Sequence, residues 1–222
     1  MKPDGSLDLT LQLGSLTSYI HFIEESQKLV VTSGRDKSIT IIDMKNRKTE
    51  KLINFGSWIY GVAHKDGKLV YNGYNRGICV VSLDNVFITQ LVNATLSKYS
   101  SIVIWLDQLY YINNDSVTCC DLQRTLKWKL ERKPFLRGAR GITLDNHGRV
   151  YVSGFESHNV VVISADGKNT ECCCQRKMVL NGHKLCSSIE KITSYLFRTT
   201  KMRHFFLMFQ NELVQIFKIS FL

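Results

Sequence analysis

The side chains best equipped for chemistry in this 222-residue chain are rings and cations in short polar stretches. Trp58 and Tyr60 lie in SWIYG, Tyr74 and Arg76 in GYNRG, and Tyr99 in SKYSS. Arg137 and Arg140 lie in FLRGARG, Phe155 and His158 in GFESHN, Arg35 and Lys37 in SGRDKS, and Asn114 in NNDS. The neighbouring acids are few: Asp36, Asp115 and Glu156. Arginine pairs with phosphate or carboxylate, and rings stack on bases, so the set suits single-stranded RNA. It equally suits an acidic or aromatic peptide, because aromatic and arginine anchors dominate protein recognition. A plainer role competes at two places. Trp58 and Tyr60 precede an apolar run and could fill a gap between packed elements. Arg137 and Arg140 close a wider basic run, Arg124, Lys127, Lys129, Arg132, Lys133, against Glu131 alone, part of which reads as a solvated face.

Metal and nucleophile patterns are absent. The histidines, at 21, 64, 147, 158, 183 and 204, show no His-x-His or His-Glu-x-x-His spacing. Cys172, Cys173, Cys174, His183 and Cys186 could be gathered on paper into a zinc site, but adjacent cysteines on a strand diverge to opposite faces. There is neither a Gly-x-Ser-x-Gly elbow nor a phosphate loop. The expectation is no catalytic residue, no metal, no cofactor, no small-molecule substrate, and hence a chain that is not an enzyme.

The elements that must position these residues follow from a repeat. Residues 20–43, 61–84, 103–121 and 141–167 each run apolar strand, polar turn, apolar strand, break, apolar strand, turn. The breaks, Gly34, Gly73, Asn113 and Gly154, are 39, 40 and 41 residues apart. A further alternating segment follows each unit, at 49–54, 87–92, 125–130 and, less clearly, 170–174. Four short strands per roughly 40 residues is the period of a β-propeller blade. Stacked blades cover both faces of every sheet, which explains strands such as 160–163 that are apolar at every position. The three break glycines are expected to supply a positive φ or a tight bend. The projection places the ring and cation residues on one face, in loops between second and third strands and in connections between blades. Blades are expected at 17–54, 55–93, 94–134 and 135–175, within a single all-β propeller domain spanning 1–222. Residues 1–16 read as the outer strand of a truncated blade and 176–222 as a degenerate last one, with 186–203 carrying apolar residues at helical spacing.

The stretch GITLDNHGRVYVSG with NVVVISADGK resembles an NHL repeat, the blade of six-bladed propellers. GVAHKDGKLVYNGYNRGICVVSLD and YYINNDSVTCCDLQRTLKWKL are similar to the propellers of tripartite-motif (TRIM-NHL-like) proteins, a family of E3 ubiquitin ligases abundant in molluscs. The likeness spans about residues 5–185. It implies an incomplete six-bladed propeller of four to five blades that recruits substrates by binding protein, with RNA binding as the alternative. In that family a RING finger supplies ligase activity, and no Cys-x-x-Cys pair for one occurs here. A WD40 propeller fits less well: SGRDKSITIID would pass as its third strand, but the only Gly-His, Gly182-His183, has no matching Trp-Asp. Six-bladed metal-dependent hydrolases need a central carboxylate ring. Here Asp66 and Asp145 fall in turns on the opposite face.

Composition agrees with a globular interaction protein. Hydrophobic residues make up 44% of the chain, and the net charge of +10 favours acidic partners. The first residues lack an apolar signal core, no apolar run could span a bilayer, and seven unpaired-looking cysteines fit a reducing compartment. The expected location is the cytoplasm, with a protein partner and no membrane.

Overall fold

The computed structural model describes residues 17–131 and 133–175. They form four sheets, each a four-stranded antiparallel meander in chain order. The first holds β1 (Tyr19–Ile23), β2 (Lys28–Ser33), β3 (Ser38–Asp43) and β4 (Lys48–Asn54). The second holds β5 (Val62–Lys65), β6 (Lys68–Asn72), β7 (Ile78–Ser82) and β8 (Ile88–Val92), with a 3-10 turn at Tyr74–Arg76. The third holds β9 (Ile102–Trp105), β10 (Gln108–Asn113), β11 (Ser116–Asp121) and β12 (Leu126–Leu130). The fourth holds β13 (Ala139–Leu144), β14 (Val150–Gly154), β15 (Asn159–Ile163) and β16 (Thr170–Gln175). The sheets are the blades of a β-propeller: the inner strand β5 touches β1 on one side and β9 on the other, and β9 touches β13. The expected partial blade at 1–16 and last blade at 176–222 lie outside the described residues.

Strand alternation explains the packing. In β6, Leu69 and Tyr71 point toward the first blade and join Val30, Ile39 and Ile59 in one core. Between them Val70 points the other way, with Ile78, into the core shared with Ile102 and Leu109 of the third blade. Cys119 and Cys120 divide in the same manner: Cys119 enters the core shared with Val152 and Val161, Cys120 the core shared with the second blade. Because both sheet faces are buried, apolar residues occupy successive positions. Each such Leu, Ile or Val contributes about 1.5–3 kcal/mol on burial.

The break glycines sit at the bends between second and third strands without the positive φ, and close approach of neighbouring atoms accounts for their place. Gly34, Gly73 and Gly154 are absent from the positive-φ residues. A Cβ on Gly34 would instead lie 2.5 Å from the Tyr60 ring, and one on Gly154 would lie 2.6 Å from the Asn159 amide oxygen. The left-handed conformation falls on the turn residues that follow: Lys37 (φ 53°), Tyr74 (φ 56°), Asn114 (φ 48°) and His158 (φ 50°). Four of the expected binding residues therefore hold the backbone corner of their own turns.

Candidate binding face

Antiparallel meanders put the turns between second and third strands on the same side as the connections from each outer strand to the next inner strand. That side carries Arg35 and Lys37 after β2, Tyr74 and Arg76 after β6, Asn114 after β10, and Phe155 and His158 after β14. Trp58 and Tyr60 lie between β4 and β5, Tyr99 between β8 and β9, and Arg137 between β12 and β13, while Arg140 is within β13.

The fold gathers two groups from these. Trp58 stacks on Tyr74, with ring centroids 5.6 Å apart and planes at 24°. Tyr60 meets both edge-on, at 6.3 Å from Trp58 and 6.2 Å from Tyr74. Tyr60 is 8% exposed, so it fills the gap between blades, as the plainer reading had it, whereas Trp58 stays 46% exposed. In the second group the Arg140 guanidinium carbon lies 4.2 Å from the Tyr99 ring centre and 3.6 Å from that of Phe155. Lys98 is 4.9 Å from the same tyrosine ring. Tyr60 lies between the groups: burial raises its hydroxyl pKa, and the hydroxyls of Tyr74 and Tyr99 raise it further. Arg35, Lys37, Asn114 and His158 remain exposed on their turns, outside these groups. Arg76 is also exposed, and its charge acts on Tyr71 and Cys79. Arg137 contributes backbone: its N–H donates to Ser157 Oγ at 3.1 Å, and its carbonyl accepts from Glu156 N–H at 3.1 Å.

Residues outside the expected set hold these rings in place. Asn72, fully buried, donates from its amide to the carbonyls of Ser97 (2.8 Å) and Ser100 (3.1 Å), and its side-chain oxygen accepts the Tyr74 N–H at 2.8 Å. One side chain thus sets both the Tyr74 turn and the connection that carries Tyr99. The Tyr19 hydroxyl donates to the Tyr99 carbonyl at 2.8 Å, across 80 residues of sequence. Burial drives the Tyr19 pKa strongly upward, opposed by the charge of Arg140. The signal for Asn72 was visible as a polar residue closing an apolar run before Gly73. Tyr19 gave none, since its partner is a backbone carbonyl two blades away. Arg140 occupies a β-bulge: Ala139 pairs with Gly154 and Gly141 with Ser153, leaving residue 140 unpaired. Bulges re-aim a side chain, and this one carries the guanidinium to the two rings. Among the described residues no three His, Cys, Asp or Glu side chains are placed to hold a metal ion.

No protein-family model and no curated protein matches this sequence. Solved structures do. Selenomethionine-substituted virginiamycin B lyase from Staphylococcus aureus is similar with a TM-score of 0.59 at 15% identity, covering 73% of this chain and 56% of that one. A streptogramin B lyase gives 0.56 at 15% identity, covering 70% and 53%. A catalytically inactive virginiamycin B lyase variant from Staphylococcus aureus with quinupristin gives 0.61 at 16%, covering 76% and 58%. The chain thus spans a little over half the length of these structures, and at such identity the likeness is one of fold. These matches are propellers and agree with the blade architecture. They are also enzymes, and that corrects the expectation of a chain that is not one: a fold shared with lyases gives no ground for setting catalysis aside. The tripartite-motif resemblance rests on the quoted sequence stretches alone.

Proposed function

We propose that this propeller recognises a protein partner through the face that carries Trp58, Tyr60, Tyr74, Tyr99, Arg140 and Phe155. The observation that supports this most is the exposed Trp58 ring, stacked on Tyr74 and backed by the buried Tyr60. A large ring held in one orientation by two others loses little freedom on binding, which is why such residues anchor protein interfaces. The setting we infer from the tripartite-motif resemblance is substrate recruitment for a ubiquitin ligase in the cytoplasm. Single-stranded RNA is the second reading, favoured by the same stacked pair and by the net charge of +10.

The test is a photo-crosslinking amino acid placed at position 58 and, as a control, at position 45 in the turn between β3 and β4 on the opposite face. Protein captured at 58 and not at 45, with retention weakened about tenfold or more by Trp58→Ala, is the expected result. Nuclease-sensitive capture that falls steeply with salt would move the assignment to RNA. Equal capture at both positions would sink the reading.

A further inference from the structure

We infer that Arg140 is the residue of this face that reads a carboxylate, so that the partner segment is an acidic peptide whose Asp or Glu docks on the guanidinium beside Tyr99 and Phe155. This rests on the recognition reading above. Among the described residues the Arg140 guanidinium lies over two rings, its charge acts on the Tyr19 hydroxyl, and no hydrogen bond or ion pair engages its N–H donors. It is only half-exposed. Some cations elsewhere in the fold do meet carboxylates: Arg149 Nε meets Asp145 at 2.6 Å, Lys28 meets Glu50 at 2.6 Å, and Lys65 meets Asp107 at 3.2 Å. A guanidinium drawn partly out of water without an anion is unfavourable until one arrives.

The site is also held ready. Tyr99 is tied down by the Tyr19 hydroxyl, and Phe155 by its N–H to the Gly138 carbonyl at 2.9 Å. The β13 bulge aims the Arg140 side chain at these rings. With rings at 4.2 and 3.6 Å, the guanidinium already has its stacking partners. What remains to offer is the planar edge of N–H donors, and a planar carboxylate matches that edge with two parallel hydrogen bonds. A nucleobase would have to compete with rings already in place, which favours the peptide over RNA.

The experiment uses the whole chain and three labelled probes in low-salt buffer: oligoglutamate, its oligoglutamine counterpart, and single-stranded oligouridylate, followed by fluorescence anisotropy. Oligoglutamate is expected to bind and oligoglutamine not. Arg140→Gln and Arg140→Lys are each expected to weaken binding about tenfold or more, because lysine keeps the charge but not the fork. Lys45→Gln, with the same charge change as Arg140→Gln, is expected to leave it unaltered. Phe155→Leu alters an exposed side chain, so it tests the same site without touching β13; a loss of about twofold to fivefold is expected. Full affinity in Arg140→Lys, or equal effects of Arg140→Gln and Lys45→Gln, would overturn the assignment by showing that charge alone acts. If Trp58→Ala weakens oligoglutamate binding while the Arg140 variants do not, the face stands and the Arg140 assignment fails; if neither matters, both fail. Oligouridylate bound more tightly than oligoglutamate, and lost in Arg140→Gln, would make the site a phosphate reader and overturn the carboxylate.

Discussion

Asp145 shows how single side chains carry this fold on the face opposite the proposed site. It is 2% exposed and accepts four hydrogen bonds: the N–H groups of His147 (2.9 Å) and Arg149 (3.0 Å), Arg149 Nε (2.6 Å) and the Tyr151 hydroxyl (3.2 Å). Burial by itself raises the carboxyl pKa, but the Arg149 guanidinium and the two N–H groups outweigh it, and the net displacement is downward. A carboxyl lower in the fold than in the unfolded chain adds stability that is fully present above the unfolded value, about 3.9. That stability disappears as pH falls through the folded value. Asp145→Ala is therefore expected to lose about 2–4 kcal/mol at neutral pH, since it removes the buried acceptor of four hydrogen bonds in and beside the turn. Urea denaturation at pH 7 and pH 3 checks it: the gap between wild type and variant should narrow at the lower pH. A gap unchanged with pH would mean that the carboxylate charge is not what the turn uses.

At the scale of elements, the turns are built by close contacts that glycine alone permits. Gly77 closes the Tyr74–Arg76 turn with φ of +70°, and a Cβ there would lie 2.0 Å from the Val92 carbonyl oxygen. Its N–H donates to the Tyr74 carbonyl at 3.0 Å, and its own carbonyl accepts the Gly73 N–H at 2.7 Å. Gly77→Ala meets backbone on one side and an unfavourable φ on the other, so a loss of about 3 kcal/mol or more is expected in thermal or urea unfolding. The same change should displace Tyr74 and weaken the near-ultraviolet circular dichroism of the Trp58–Tyr74 pair. An unaltered melting curve would show that the turn rearranges at little cost. On the opposite face the turns serve as cradles: Gly148 lies against the Trp105 ring and Gly167 against Trp128, whose Nε1 donates to the Ala165 carbonyl at 3.0 Å. The two turns that frame 141–167 are thus packing sites between the third and fourth blades.

Across the described residues, stability follows from neighbouring blades that share cores, with the second and third sheets covered on both faces. The outer strands are different: β4 carries exposed Lys48, Thr49 and Glu50, β8 exposed Thr89 and Gln90, and β12 exposed Leu126 and Lys127. Amide exchange should accordingly be slowest in the second and third strands of each blade, β2, β3, β6, β7, β10, β11, β14 and β15. It should be fastest in β4, β8 and β12 and in the turns. Exchange followed by mass spectrometry tests this, and equal protection of inner and outer strands would indicate one cooperative unit without frayed rims.

The sequence by itself determined the blade: strand alternation, polar turns and breaks 39 to 41 residues apart are local signals, and the side-chain period of a strand leaves little freedom in how they are met. It also placed the rings and cations on one face, since that follows from antiparallel order alone. It could not tell which would meet. Arg35, Lys37, Asn114 and His158 lie in second-to-third-strand turns, as Tyr74 and Phe155 do, yet they stay exposed and outside the two groups. Tyr60 and Trp58, two residues apart in sequence, parted into buried plug and exposed platform because the space beside Gly34 admits the Tyr60 ring. Arg140 reached Tyr99 and Phe155 through a bulge that no periodicity announces, and Tyr19 fixed the connection carrying Tyr99 through a hydrogen bond spanning 80 residues. Such contacts arise from the angle at which one blade stacks on the next, a quantity that resides in the packed cores and not in any one strand.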